Sequence, residues 1–230
     1  MDARIEINGA QQVGEEIILL MKTIGDIYIA GSKTTDDWVA FKPTLVPGGD
    51  PVVWETAFAE YFHGRLSARY LDPIKVLQDN GSFQGEGFSI AAIQCSLIEF
   101  LESTVQGKSY RVLRGGPPLG PHEYSRTGEM FESLFVNRAP FNSEFDAATA
   151  HDFYEGVRCA LLHDARTKNG WVIWAKHGSR IIDATGSQKI LYRDNFQKGL
   201  LDFIAGYKTA LTSDPVIQTA FIRKFDSLCV

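Results

Sequence analysis

The sequence predicts a mainly α protein, a multi-helix bundle with one inserted β-hairpin. Apolar residues recur every three or four positions over most of the chain between Trp54 and Leu211, the spacing of one helix face. Prolines and paired glycines mostly fall between these stretches, where connections belong. Residues 171–186 break the rhythm, with β-branched and aromatic residues on either side of a turn.

Residues 15–31 place Ile17, Ile18, Met21, Ile24, Ile27 and Tyr28 at helical spacing, with Gly31 as the expected C-cap. Segment 36–51 holds three prolines and a glycine pair and reads as a connection. Residues 1–50 are therefore expected to be an N-terminal helix and connection packed on a helical domain spanning 51–230. That domain opens with a long amphipathic helix over 54–81, carrying Trp54, Phe58, Tyr61, Phe62, Leu66, Tyr70, Ile74 and Leu77. Pro73 should kink it and Gly81 should stop it. Residues 88–104 are apolar on nearly all sides, as expected of a central bundle helix, and Gln94, Ser96 and Glu99 interrupt them. A basic stretch with adjacent glycines and three prolines, 108–126, reads as a loop. Helices follow over 128–137 and from about Asp146 to His163. The hairpin is expected near 171–184, turning at His177-Gly178-Ser179. Helical spacing returns over 194–211, and Asp214-Pro215 opens a last short helix.

At 230 residues, 44% hydrophobic and 22% charged, the chain can bury a sizeable core. Its net charge of -5 argues against coating nucleic acid nonspecifically, which needs a large cationic surface. The run from Arg158 to Arg180 opposes that sign, with Arg158, Arg166, Lys168, Lys176 and Arg180 against Asp164 alone. The apolar run over 17–21 is too short to span a membrane and follows two glutamates rather than a basic start. Three widely spaced cysteines suit a reducing compartment, so a cytoplasmic protein with no membrane partner is expected.

Arg158 and His163 are the leading candidates for chemistry. Five positions on an ideal helix rotate about 500°, leaving the two side chains about 140° apart. To serve one substrate they need a loosened helix end or a second copy across a two-fold axis. Histidine moves a proton near neutral pH and arginine holds a phosphate, so together they suit attack of an RNA 2′-hydroxyl on the adjacent phosphorus. The competing reading pairs Arg158 with Glu155 and leaves His163 to cap the helix C-terminus. Glu99, an acid in an apolar helix, either orients Arg158 or His163 or lies on an exposed stripe. Cys159 and His163 do not make a metal site by themselves, and Cys159 reads as a small core residue. The Gly85-Glu86-Gly87 run lacks the strand and third glycine of a dinucleotide loop and reads as a helix start. Trp171 and Trp174 either fasten the hairpin to the bundle or offer a face to unpaired bases.

The stretch FYEGVRCALLHDARTKNGW, residues 153–171, resembles the signature of the HEPN superfamily (higher eukaryotes and prokaryotes nucleotide-binding domain), in which an Arg and a His lie late in a helical bundle. The stretch GEGFSIAAIQCSLIEFLEST, the basic loop, and the later hairpin and helix are similar to bacterial proteins with this kind of domain, over roughly residues 54–211. The resemblance implies a HEPN-like bundle acting as a homodimeric, metal-independent endoribonuclease without a cofactor, in a toxin, phage-defence or RNA-processing setting, with RNA and a regulatory protein as partners. It makes Arg158 and His163 catalytic, Glu99 and Cys159 supporting, and Arg111, Arg114, Arg166, Lys168, Lys176 and Arg180 contacts for RNA. Active members often carry Asn or Asp after the motif arginine, where this chain has Cys159. A noncatalytic nucleotide-binding or regulatory scaffold is therefore the alternative.

Overall fold

The computed structural model describes residues 27–82 and 84–229, and the protein is mainly helical over that span. Most of the expected helix over 15–31 and of the expected N-terminal unit thus lies outside the described residues. Where it enters them it is not helical. Strand β1, Tyr28–Ala30, pairs with β2, Lys33–Thr34, and Gly31 turns between them at φ 51. Arg69 and Arg65 donate to the carbonyls of Tyr28 and Ile29, holding this backbone extended. The connection read over 36–51 also contains a helix, α1, Thr35–Phe41, closed by a capping box between Thr34 and Asp37.

Helix α2 runs over 51–80 from Asp50, whose side chain caps Val52, and Pro51, which fits a first helical turn. It widens twice into π turns, Ala57–His63 and Ser67–Leu71. The second lies directly before Pro73, which has no N–H for a carbonyl four residues back, so the expected disruption is a widened turn. Helix α3, Glu86–Gln106, is long and apolar enough to cross a membrane by composition, and 56% of that window is buried within the protein.

Short parallel strands β3, Ser109–Tyr110, and β4, Glu123–Tyr124, bracket the basic loop. Helix α4 spans Thr127–Asn137, and α5 runs over 147–164 from an N-cap at Asp146, with a π turn at Tyr154–Cys159. Strands β5, Trp171–Trp174, β6, Ile182–Asp183, and β7, Lys189–Tyr192, follow, then α6, Arg193–Ser213, and α7, Pro215–Asp226.

The hairpin expected near 171–184 does not form. β7 lies between the two segments, parallel to β5 and antiparallel to β6. Leu191 and Tyr192 make β7 the buried middle strand. The His177-Gly178-Ser179 segment instead packs on the start of α6, where Asn195 donates to the carbonyls of His177, Gly178 and Arg180. The donors of Ile181 and Ile182 are taken by the Glu144 carboxylate.

Aromatic rings dominate the core. Phe131, Phe135, Phe145, Phe153, Phe196 and Trp171 join α4, α5, α6 and the sheet, while Trp38, Tyr61, Phe221 and Phe225 join α1, α2 and α7. One fully buried carboxylate interrupts this core: Glu102, which accepts from Arg138 Nε at 2.9 Å and Nη2 at 3.0 Å, from Ser133 and from Gln106.

The π turn of α5 decides how the following turn docks. Ala160 N–H donates to Glu155, five residues back, and leaves the Gly156 carbonyl to accept from Lys168 N at 2.7 Å. A Cβ on Gly156 would lie 2.6 Å from Trp171 Cδ1 and 3.0 Å from the Lys168 carbonyl. Gly156→Ala should therefore lower stability by about 1–3 kcal/mol, read from a denaturant melt. Ala165 ends the helix at φ 51, a conformation glycine adopts without strain, so Ala165→Gly should raise the melting temperature by ~2–4 °C.

Candidate functional site

Arg158 sits inside the π turn of α5, and its surroundings follow from that position. The guanidinium lies over the Tyr154 ring, 5.4 Å from the centroid, and Nη1 approaches Cys159 Sγ at 3.9 Å. Tyr154 is fixed by a 2.7 Å hydrogen bond between its hydroxyl and that of Thr127, at the start of α4. Behind the arginine lies Cys95 of α3, whose thiol is pushed up to about 12 by burial, with the Arg158 charge pulling partly the other way. Glu155 does not pair with Arg158, because His151 lies 3.5 Å from its carboxylate and 2.7 Å from Glu132. Among the described residues Arg158 makes no ion pair. A half-buried guanidinium held by a ring and a thiol keeps its charge uncompensated.

His163 occupies the last turn of the same helix and is exposed. It makes no hydrogen bond among the described residues, and no side chain bridges it to Arg158. Leu162, the residue before it, is 52% exposed, and Phe88 of α3, 42% exposed, lines a shallow pocket with Leu161 and Ala165 of α5 and the turn after it.

Glu99 does not reach either residue. It accepts the Tyr124 hydroxyl at 2.8 Å, tying β4 to α3 one turn from Cys95. Arg111 is engaged by its own loop: Nε donates to Glu123 at 2.7 Å, and Nη2 to the carbonyls of Pro117 and Pro118. The Gly120 amide and Arg111 together hold the Glu123 carboxyl below its usual range. Lys168 pairs with Asp164 at 2.5 Å, and Arg180 lies 3.6 Å from Asp183. Arg114, Arg166 and Lys176 are exposed and make no ion pair among the described residues. Cys159 is half-buried and faces the guanidinium rather than the apolar core. Among the described residues no three His, Cys, Asp or Glu side chains group closely enough to hold a metal ion.

Asp152, two residues before Tyr154, anchors the basic turn. Its carboxylate accepts from Lys189 at 2.6 Å, Trp171 Nε1 at 2.8 Å and Asn169 at 3.1 Å. Trp171 is thus a fastener of sheet to helix, whereas Trp174 is 49% exposed. Sequence reasoning missed Asp152, Tyr154 and Thr127. The Tyr154–Arg158 spacing of four was the available signal, since an aromatic and a cation so spaced are neighbours on a helix.

No family model, curated protein or solved structure matches the chain.

Burial opposes the charge on Asp152, but the hydrogen bonds from Lys189, Trp171 and Asn169 outweigh it and lower its carboxyl below the ordinary value. A lowered carboxyl contributes stability above the ordinary aspartate range and loses it as pH falls through the folded value. The melting-temperature gap between wild type and Asp152→Asn should therefore be widest near neutral pH and close below about pH 4.

Proposed function

We propose that the protein is a metal-independent endoribonuclease of the HEPN type, built as a cytoplasmic homodimer in which Arg158 and His163 of both copies line one cleft. The observation that carries this reading is Arg158, a half-buried guanidinium without a carboxylate partner among the described residues and therefore free to hold a phosphate. His163 on one copy takes the proton from the RNA 2′-hydroxyl as that oxygen attacks the adjacent phosphorus. Arg158 stabilises the charge that builds on the phosphate oxygens; as the bond from phosphorus to the 5′-oxygen breaks, a protonated His163 gives its proton to that oxygen, and the products are a 2′,3′-cyclic phosphate and a 5′-hydroxyl end. The exposed apolar surfaces of Leu162, and of Phe88 near Leu161 and Ala165, support burial of this helix end by a second copy. Arg114, Arg166 and Lys176 are the cations best placed to meet the RNA backbone, with Lys168 and Arg180 reaching it if their weak surface pairs open. Glu99 and Arg111 drop out of the proposed contacts because their own neighbours engage them.

Cys159 favours a second reading, a noncatalytic nucleotide-binding or regulatory scaffold. The guanidinium contacts the Cys159 thiol at 3.9 Å, and a thiol is a weak hydrogen-bond partner for a reacting group.

Incubation of the purified protein with mixed single-stranded RNAs separates the two. The nuclease yields fragments ending in cyclic phosphate, unaffected by EDTA. His163→Ala should lower the rate by about 10²–10⁴-fold while the helical CD signal and subunit number stay unchanged. Salt-sensitive RNA binding without fragments selects the scaffold.

A further inference from the structure

We propose that a groove between α3, α4, α6 and α7 binds a small, largely apolar molecule carrying a carboxylate. The groove holds about 400 Å³ and its walls include Val105, Phe203, Gly206, Tyr207 and Ile217, with Arg138 at its polar end. It lies at the C-terminal end of α4, whereas the Arg158 surroundings begin at Thr127 at the other end. The volume and the mix of apolar walls with two charged residues, Arg138 and Asp202, suit a small organic ligand.

Two independent features point to an occupant. Gly206 stands mid-helix in α6, where glycine is unfavourable, and a Cβ there would meet nothing within 4 Å. Neither close packing nor a positive φ explains the glycine; keeping the groove open does. Arg138 binds Glu102 through Nε and Nη2 only, leaving Nη1 without a hydrogen bond among the described residues. The guanidinium is thus held rigid with one donor to offer, and a carboxylate is its natural acceptor. Asp202 on the rim is paired with Lys198 at 2.6 Å, which offsets its repulsion of an anion.

The test is titration of the full chain with 1-naphthoate and with octanoate by calorimetry, alongside thermal melts. One-to-one binding of at least one of them is expected, with a raised melting temperature, and a neutral analogue, 1-naphthalenemethanol, should bind more weakly than the naphthoate. Gly206→Leu should weaken binding by about tenfold or more by filling the groove, while its own melting temperature stays level or rises because a helical glycine is replaced. Gly206→Ala, adding one methyl into open space, is the folded control and should bind closer to wild type. Failure of both carboxylates to bind the wild type, or equal binding to wild type and Gly206→Leu, overturns the proposal.

Discussion

The Gly156 carbonyl, passed over by its own helix, is the point on which the candidate site depends. A regular α-helix would have consumed it internally, and the turn over 165–170 would have had no backbone acceptor there. Because the π turn shifts the bond from Ala160 back to Glu155, Lys168 can dock its amide on the helix. Trp171 then fits against the bare Cα of Gly156, and Asp152 collects the indole, Lys189 and Asn169. One widened turn thus sets the place of Arg158, of the turn carrying Arg166 and Lys168, and of β5, whose pairing with β7 carries the chain into α6.

Two arginines show what determines whether a charge is structural or available. Arg138 reaches a carboxylate with no solvent exposure at all, and removing the arginine would strand that carboxylate in the core. Among the described residues Arg158 has only an aromatic face and a thiol, while Glu155 on the same helix lies beside His151. Their sequence contexts look alike. The difference lies in which neighbours the fold brings within reach.

Much of the helical fold was legible because period and punctuation agree. The α2 pattern from Trp54 to Leu77, the apolar run of α3 and the Asp146 start of α5 each follow from local rules that tertiary packing does not override. The π turns were not legible, since a one-residue shift in hydrogen bonding leaves the apolar spacing nearly intact. The sheet was misread for a different reason. A hairpin is a local inference, whereas β5 finds its parallel partner only after β6 has intervened, and the Lys-Ile-Leu-Tyr of β7 is too short to announce a strand. The helix within 36–51 was missed because its prolines outweighed the Thr34–Asp37 capping pair. At the site, Arg158 and His163 could be named from their spacing and residue types, but the partners of Arg158, Glu99 and Arg111 come from distant segments and could not.

Glu144 carries a consequence for how this protein behaves in a crowded solution. Strand β6 is a sheet margin, and unpaired backbone donors at a margin are where a foreign backbone would add; its length of two residues already limits this. The carboxylate already seated on the amides of Ile181 and Ile182 occupies the donors such an intruder would need and adds negative charge beside them. A side chain far from any proposed chemistry thereby acts as a guard against self-association through that margin.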